Sequence, residues 1–266
     1  MPIDFPSHLP RAAIEKLLLA MADDELILGH RDSEWTGHAP ILEEDIAFSN
    51  IAQDEIGHSL VWFTLLQELT GQTPDEMGFE RDWSNFTCCR FVAYPRGDFA
   101  YSVVRQFLFD EAEKVRLEAL RHCPYAPMKE AAGKILREEA YHVMHCRGLI
   151  ERLGKGTPES HERMHTAIDT AFPQALGMFE VLEEEEKLVE AGIFSGHTML
   201  QAEWLKAIHP ILTDATLSLP IERTDSRITV RCVPDAGGRR HSHTEHLKHL
   251  VDDLQQVYRS IPNTNW

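Results

Sequence analysis

Apolar residues recur at three- and four-residue spacing through long stretches that lack proline and glycine, which is the pattern of amphipathic helices. Helices are expected at about 8–30, 40–70, 98–122, 126–153, 160–190, 197–217 and 242–260. The breaks between them are chemically explicit: HAP at 38–40, GQTP at 71–74, YPRGD at 94–98, CPYAP at 123–127, LGKGTP at 153–158 and PDAGG at 234–238. One alternating stretch, Arg227 to Val233, reads as a short strand or hairpin arm. The expected class is therefore all-α, with a core bundle over about 8–153 and appended helices over about 158–266. No linker marks a second domain, so residues 1–266 read as one.

Two of these helices repeat an unusual pair. The second carries Glu55 and His58, and the fourth carries Glu139 and His142, each as Glu-x-x-His. Residues three apart share a helix face. Extending each face gives Ile51, Glu55, His58 and Trp62 on one stripe, and Ile135, Glu139, His142 and Cys146 on the other. A carboxylate in so apolar a seam needs a partner, a hydrogen bond or a cation. A dinuclear site in a four-helix bundle takes one carboxylate from each of two helices and a Glu-x-x-His from each of the other two. The first helix supplies Glu25 after the stripe Ile14, Leu18, Met21. The third supplies Asp110 after Val103, Gln106 and Phe107, with Glu111 and Glu113 competing for the role. Glu25 precedes Glu55 by 30 residues and Asp110 precedes Glu139 by 29, so the chain reads as two helical hairpins with one ligand pattern repeated.

Composition narrows the chemistry. Lys and Arg number 26 against 43 Asp and Glu, a formal net charge of −17, which disfavours nucleic acid and anionic membranes as partners. No apolar run is long enough to span a bilayer and the first residues lack signal-peptide character, so a cytoplasmic location is expected. Five cysteines without a C-x-x-C pair argue against a disulfide framework or a thiolate zinc site, and Cys88 and Cys89 read as packing residues. Carboxylates with imidazole suit iron or manganese. Other polar clusters call for blander explanations. His241, His243, His246 and His249 read as an exposed helix end, Glu183 to Glu186 as a solvated helix face, and Arg90, Arg96 and Arg105 as surface ion-pairing residues.

The motifs QDEIGHSL at 53–60 and REEAYH at 137–142 resemble the ligand motifs of the catalytic A-type component of bacterial multicomponent phenylacetyl-CoA epoxidase, the phenylacetate-CoA oxygenase. The chain as a whole is more similar to the sister C-type component. DDELILGHRDSEWTGHAPILEEDIAFSNIAQDEIGH at 23–58, GDFAYSVVRQFLFDEA at 97–112, RGLIERLGKGT at 147–157, HTEHL at 243–247 and the terminal Trp266 carry that likeness. The resemblance implies a ferritin-like four-helix bundle with additional C-terminal helices. It also implies a di-iron ligand set of Glu25, Glu55, His58, Asp110, Glu139 and His142. The C-type component is a structural partner with degraded ligand positions, whereas both motifs are intact here. The implied activity is ring epoxidation of an aromatic coenzyme A thioester with O₂, one oxygen atom entering the ring and the other leaving as water. The implied partners are a homologous ferritin-like subunit in an oligomeric complex and a separate reductase carrying flavin and an iron–sulfur centre. No nucleotide-binding or iron–sulfur motif occurs in this chain. Two other readings stand beside this one: a scaffold subunit whose motifs hold metal only for stability, or hold none, while its sister does the chemistry, and a ferritin-like protein that handles iron or peroxide.

Overall fold

A computed structural model describes residues 5–224 and 227–261, so the terminal Trp266 lies outside the described residues. In chain order the elements are α1 (Arg11–Ser33), α2 (Leu42–Thr70), α3 (Arg90–Ala93), α4 (Phe99–Leu120), α5 (Ala126–Gly154), α6 (Pro158–Ala175), α7 (Glu185–Glu190), α8 (His197–Asp214), β1 (Ile221–Thr224), β2 (Arg227–Val230), α9 (Glu245–Leu254) and α10 (Gln256–Ser260). The all-α class is as expected. None of the described helices is long and apolar enough to cross a membrane.

Local chemistry fixes the ends. Gly71 closes α2 with a left-handed φ of 82°, its N–H donating to the Gln67 carbonyl at 2.8 Å. Asp98 caps α4 by accepting from the Tyr101 N–H at 2.9 Å, and Thr157 caps α6 by accepting from the Ser160 N–H at 3.1 Å. Pro158 occupies the first turn of α6, where no amide donor is missed.

The chain divides into two compact units. The first comprises Met1–Pro95 with Gly237–Trp266, and the second Arg96–Ala236. In the first, α1 and α2 form a long hairpin, with α3 and α9 laid against α1. The two long helices touch most closely at Gly29, where a Cβ would meet the Ala52 carbonyl oxygen at 2.9 Å and the Glu55 Cβ at 3.0 Å. Only glycine permits that approach, and it draws α1 against the motif helix one turn from Glu25. In the second unit, α4 is the central helix, flanked by α5, α6 and α8. Trp204 of α8 donates its indole N–H to the Leu108 carbonyl at 3.0 Å and stacks on Phe172.

Two expected elements differ. The helix expected over 160–190 stops at Ala175, passes through a 3₁₀ turn at Leu176–Phe179 and resumes only as α7. Pro173 removes an amide donor near that end, and its carbonyl accepts from the Asp235 N–H at 2.9 Å. At Gly177 the Asp235 carbonyl oxygen crowds the place where a Cβ would sit, so the passing chain occupies the space a continuing side chain would need. The stretch at 227–233 is a hairpin arm as expected, but shorter, with β2 pairing antiparallel to β1 in the register Ile221 to Val230.

Candidate metal centre

In the first unit, Glu25 of α1 meets Glu55 and His58 of α2. All three side chains are buried. The His58 Nδ1 lies 3.8 Å from Glu25 Oε2 and 4.0 Å from Glu55 Oε2, and one ligand atom from each residue falls within 4.8 Å of the other two. Two carboxylates and an imidazole at that separation, out of reach of water, form a donor set of the kind that carboxylate-bound iron or manganese takes.

The neighbours of Glu25 sharpen its role. Asp23 and Asp24 are equally buried on the same helix, but successive helical residues point about 100° apart. Asp23 accepts from both terminal nitrogens of Arg81 and from the Thr87 N–H at 2.7 Å. Asp24 accepts from Arg239 at 2.9 and 2.5 Å and from the Cys89 N–H at 2.8 Å. Each has a dedicated arginine. Glu25 instead faces a second carboxylate and a histidine.

In the second unit, Asp110 of α4 and Glu139 and His142 of α5 are all fully buried. His142 Nδ1 and Glu139 Oε1 are 3.0 Å apart. Burial and then the neighbouring Glu139 charge raise the Asp110 carboxyl well above the usual carboxylate range. The His142 imidazole opposes that shift, as do hydrogen bonds from the Cys146 thiol and the Gln106 amide. The Gln106 contact measures 2.7 Å.

The rivals for the α4 position have other partners. Glu113 pairs with Arg116 on its own helix, and Glu111 takes the Arg147 guanidinium through both oxygens, one contact at 2.8 Å. Asp110 is the α4 acid directed at the α5 motif. Sequence reading did not assign a role to Gln106 or Gly29. The signal for Gln106 was present: an amide in an apolar stripe, one turn before the acid it serves.

Three further expectations are corrected or refined. Glu183 to Glu186 is not a uniformly solvated face, because Glu185 is buried and its carboxylate accepts from the His197 N–H at 3.0 Å and contacts His197 Nδ1. Arg105 is fully buried, with its guanidinium 5.7 Å from the Tyr101 ring centroid, and is no surface residue. Arg90 reaches Ser242 Oγ at 2.7 Å. Of the four C-terminal histidines, His241 and His243 each turn a ring nitrogen to the Phe86 carbonyl, at 3.0 and 2.7 Å. Cys88 and Cys89 are buried packing residues as expected.

A family model described as phenylacetic acid catabolic protein matches residues 3–266. The chain is 31% identical to the C-type component of 1,2-phenylacetyl-CoA epoxidase from Escherichia coli K12 over 249 residues, which is 93% of this chain and 97% of that protein. It is 24% identical to the A-type component of the same epoxidase over 178 residues, covering 67% of this chain and 57% of that protein.

Proposed function

The chain belongs to the phenylacetic acid catabolic protein family, and from that premise we propose that it is one subunit of a multicomponent oxygenase acting on phenylacetyl-CoA or a related aromatic-CoA thioester. Its ligands for two iron ions are Glu25, Glu55, His58, Asp110, Glu139 and His142. The observation that carries this reading is the buried triad of Glu25, Glu55 and His58, two acids and an imidazole whose ligand atoms lie within 4.8 Å of one another. Asp110 of α4 with Glu139 and His142 of α5 add three more buried donors. Four carboxylates balance two divalent ions, which suits a site of low dielectric. Manganese would satisfy the same donors.

Bound iron would supply O₂ activation, with one oxygen atom going to the ring, the other to water, and two electrons drawn from a separate flavin and iron–sulfur reductase. The protein's own residues hold and order the donors. Gln106 and Cys146 fix the Asp110 carboxylate, and Gly29 sets the distance between α1 and α2. The catalytic assembly includes a homologous ferritin-like subunit. The five cysteines, free of disulfides, fit the reducing cytoplasm.

A second reading is favoured by the full-length match to the C-type component over the partial match to the A-type component. In it, the chain supports a homologous catalytic subunit and its metal serves stability. Elemental analysis after iron-replete expression, followed by turnover with the homologous subunit and reductase, separates the two. The first reading expects about two iron ions per chain and loss of turnover in Glu55→Ala. Full turnover in a complex whose Glu55→Ala chain holds no metal, while the homologous subunit keeps its iron, selects the scaffold.

A further inference from the structure

We propose that the outward face of α2 is the surface on which the homologous subunit docks, through an apolar helix that sets basic residues opposite Glu43 and Asp45. The proposal rests on reading the chain as part of a complex, and identifies where its partner binds.

The inner face of α2 carries Ala47, Phe48, Ile51, Ala52, Glu55, His58 and Trp62, all buried. On the other side, Leu42, Ile46, Ser49, Gln53, Ile56 and Leu60 follow one another at alternating spacings of four and three, the repeat of a coiled-coil seam. Leu42 is 72% exposed, Ile46 53% and Leu60 53%, while Ile56, 40% exposed, also lays its Cγ1 against α1 at Gly29. A helix with one apolar face needs no second, and isolated exposed aliphatic residues are ordinary; three facing outward on one seam of one helix form a patch of the kind that marks an interface.

Gly57 is an independent sign. It sits mid-helix beside Ile56, where glycine is a poor helix former. Its φ is not positive, and a Cβ built there meets nothing within 4 Å. Among the described residues, none crowds that position so as to require glycine. A second helix approaching backbone to backbone does, as Gly29 shows on the inner face.

Charge decides which occupant fits. Glu43 and Asp45 flank the seam at its Leu42 end, and Thr64 and Gln67 lie at its other end. A second copy laid parallel sets its own acids against these, and laid antiparallel it offers no cation. A net charge of −17 opposes self-pairing further. The complement is a different chain with basic residues at one end of an apolar helix.

The test uses the full chain co-expressed with the same host's homologue of the epoxidase's A-type component. Size-exclusion chromatography with light scattering reads the assembly, and titration of the purified chains reads the affinity. Ile46→Glu, Leu60→Glu and Gly57→Leu should each weaken the complex at least 30-fold. Val189→Glu, at an exposed valine on α7, should stay within twofold. The isolated seam variants should keep the wild-type melting temperature and metal content, because Ile46 and Leu60 are more than half exposed and a Cβ at Gly57 meets nothing within 4 Å. A complex that forms equally well with Ile46→Glu and Leu60→Glu overturns the docking surface while leaving the oxygenase-complex reading intact. A wild-type homodimer that the same variants dissolve also overturns it, since the occupant is then a second copy. Failure of the wild type to bind its homologue at all overturns the oxygenase-complex reading and this proposal together.

Discussion

Three consecutive acids on α1 and three near-consecutive acids on α4 look alike as letters, and the partners of each one separate their roles. Asp23 and Asp24 are held by Arg81 and Arg239, Glu111 by Arg147 and Glu113 by Arg116, which leaves Glu25 and Asp110 facing the Glu-x-x-His motifs. The spacing of 30 and 29 residues to the following motif glutamate pointed to the same two side chains. It left Glu113 open because residues three apart share a face, and the Arg116 contact gives Glu113 a partner other than the motif. The two substitutions should therefore separate in kind. Asp110→Ala should lose at least one bound iron. Glu113→Ala should keep its iron but leave the buried Arg116 guanidinium without its carboxylate, costing about 3 kcal/mol. Iron content and urea unfolding of the two variants, measured side by side, check this. Iron loss confined to Glu113→Ala would move the ligand one turn along α4.

Among the elements, the long hairpin helices were legible because their apolar periodicity runs unbroken between clear stops. The helix expected through 190 was not, because its ending depends on a distant segment, Asp235, pressing on Pro173 and Gly177. Four glutamates in a row then suggested a solvated face, although the altered path turns Glu185 inward to His197. Burial alone would raise the Glu185 carboxyl, but the bonds and charge from His197 outweigh it and hold the group below the usual range. An acid lowered in the folded state adds stability above its unfolded pKa, about 4.3 for glutamate, and loses that contribution as the pH falls through the folded value. Glu185→Gln should therefore cost about 1 kcal/mol at neutral pH. The gap between wild type and variant should close as the pH drops below about 4. Denaturant titrations across the acid range up to neutrality measure that gap, and one that stayed constant throughout would mean the carboxylate charge plays no part.

At the scale of the whole molecule, the family and its helical class could be read from local motifs, but the course of the C-terminal segment could not. Residues beyond 158 were expected as appended helices, and of these the described residues 237–261 share one compact unit with α1 and α2. Periodicity records which face of a helix is apolar and carries no record of which distant segment covers it. The link is a buried ion pair between residues 215 apart in sequence: Arg239 holds the Asp24 carboxylate and also donates to the Ala20 and Thr87 carbonyls, while Leu247, Leu250 and Val251 are buried on α9. Asp24 immediately precedes Glu25, so the returning segment helps fix the helix that presents that carboxylate. Removing one member of a buried pair strands the other charge, whereas removing both relieves it. Asp24→Asn and Arg239→Met should each destabilise the chain by about 3 kcal/mol, and the double variant should fall short of the sum by about 2 kcal/mol or more. Chemical unfolding of the four proteins closes the cycle. Additivity to within about 0.5 kcal/mol would show that the two side chains contribute independently and that the pair is not what ties the end of the chain to its beginning.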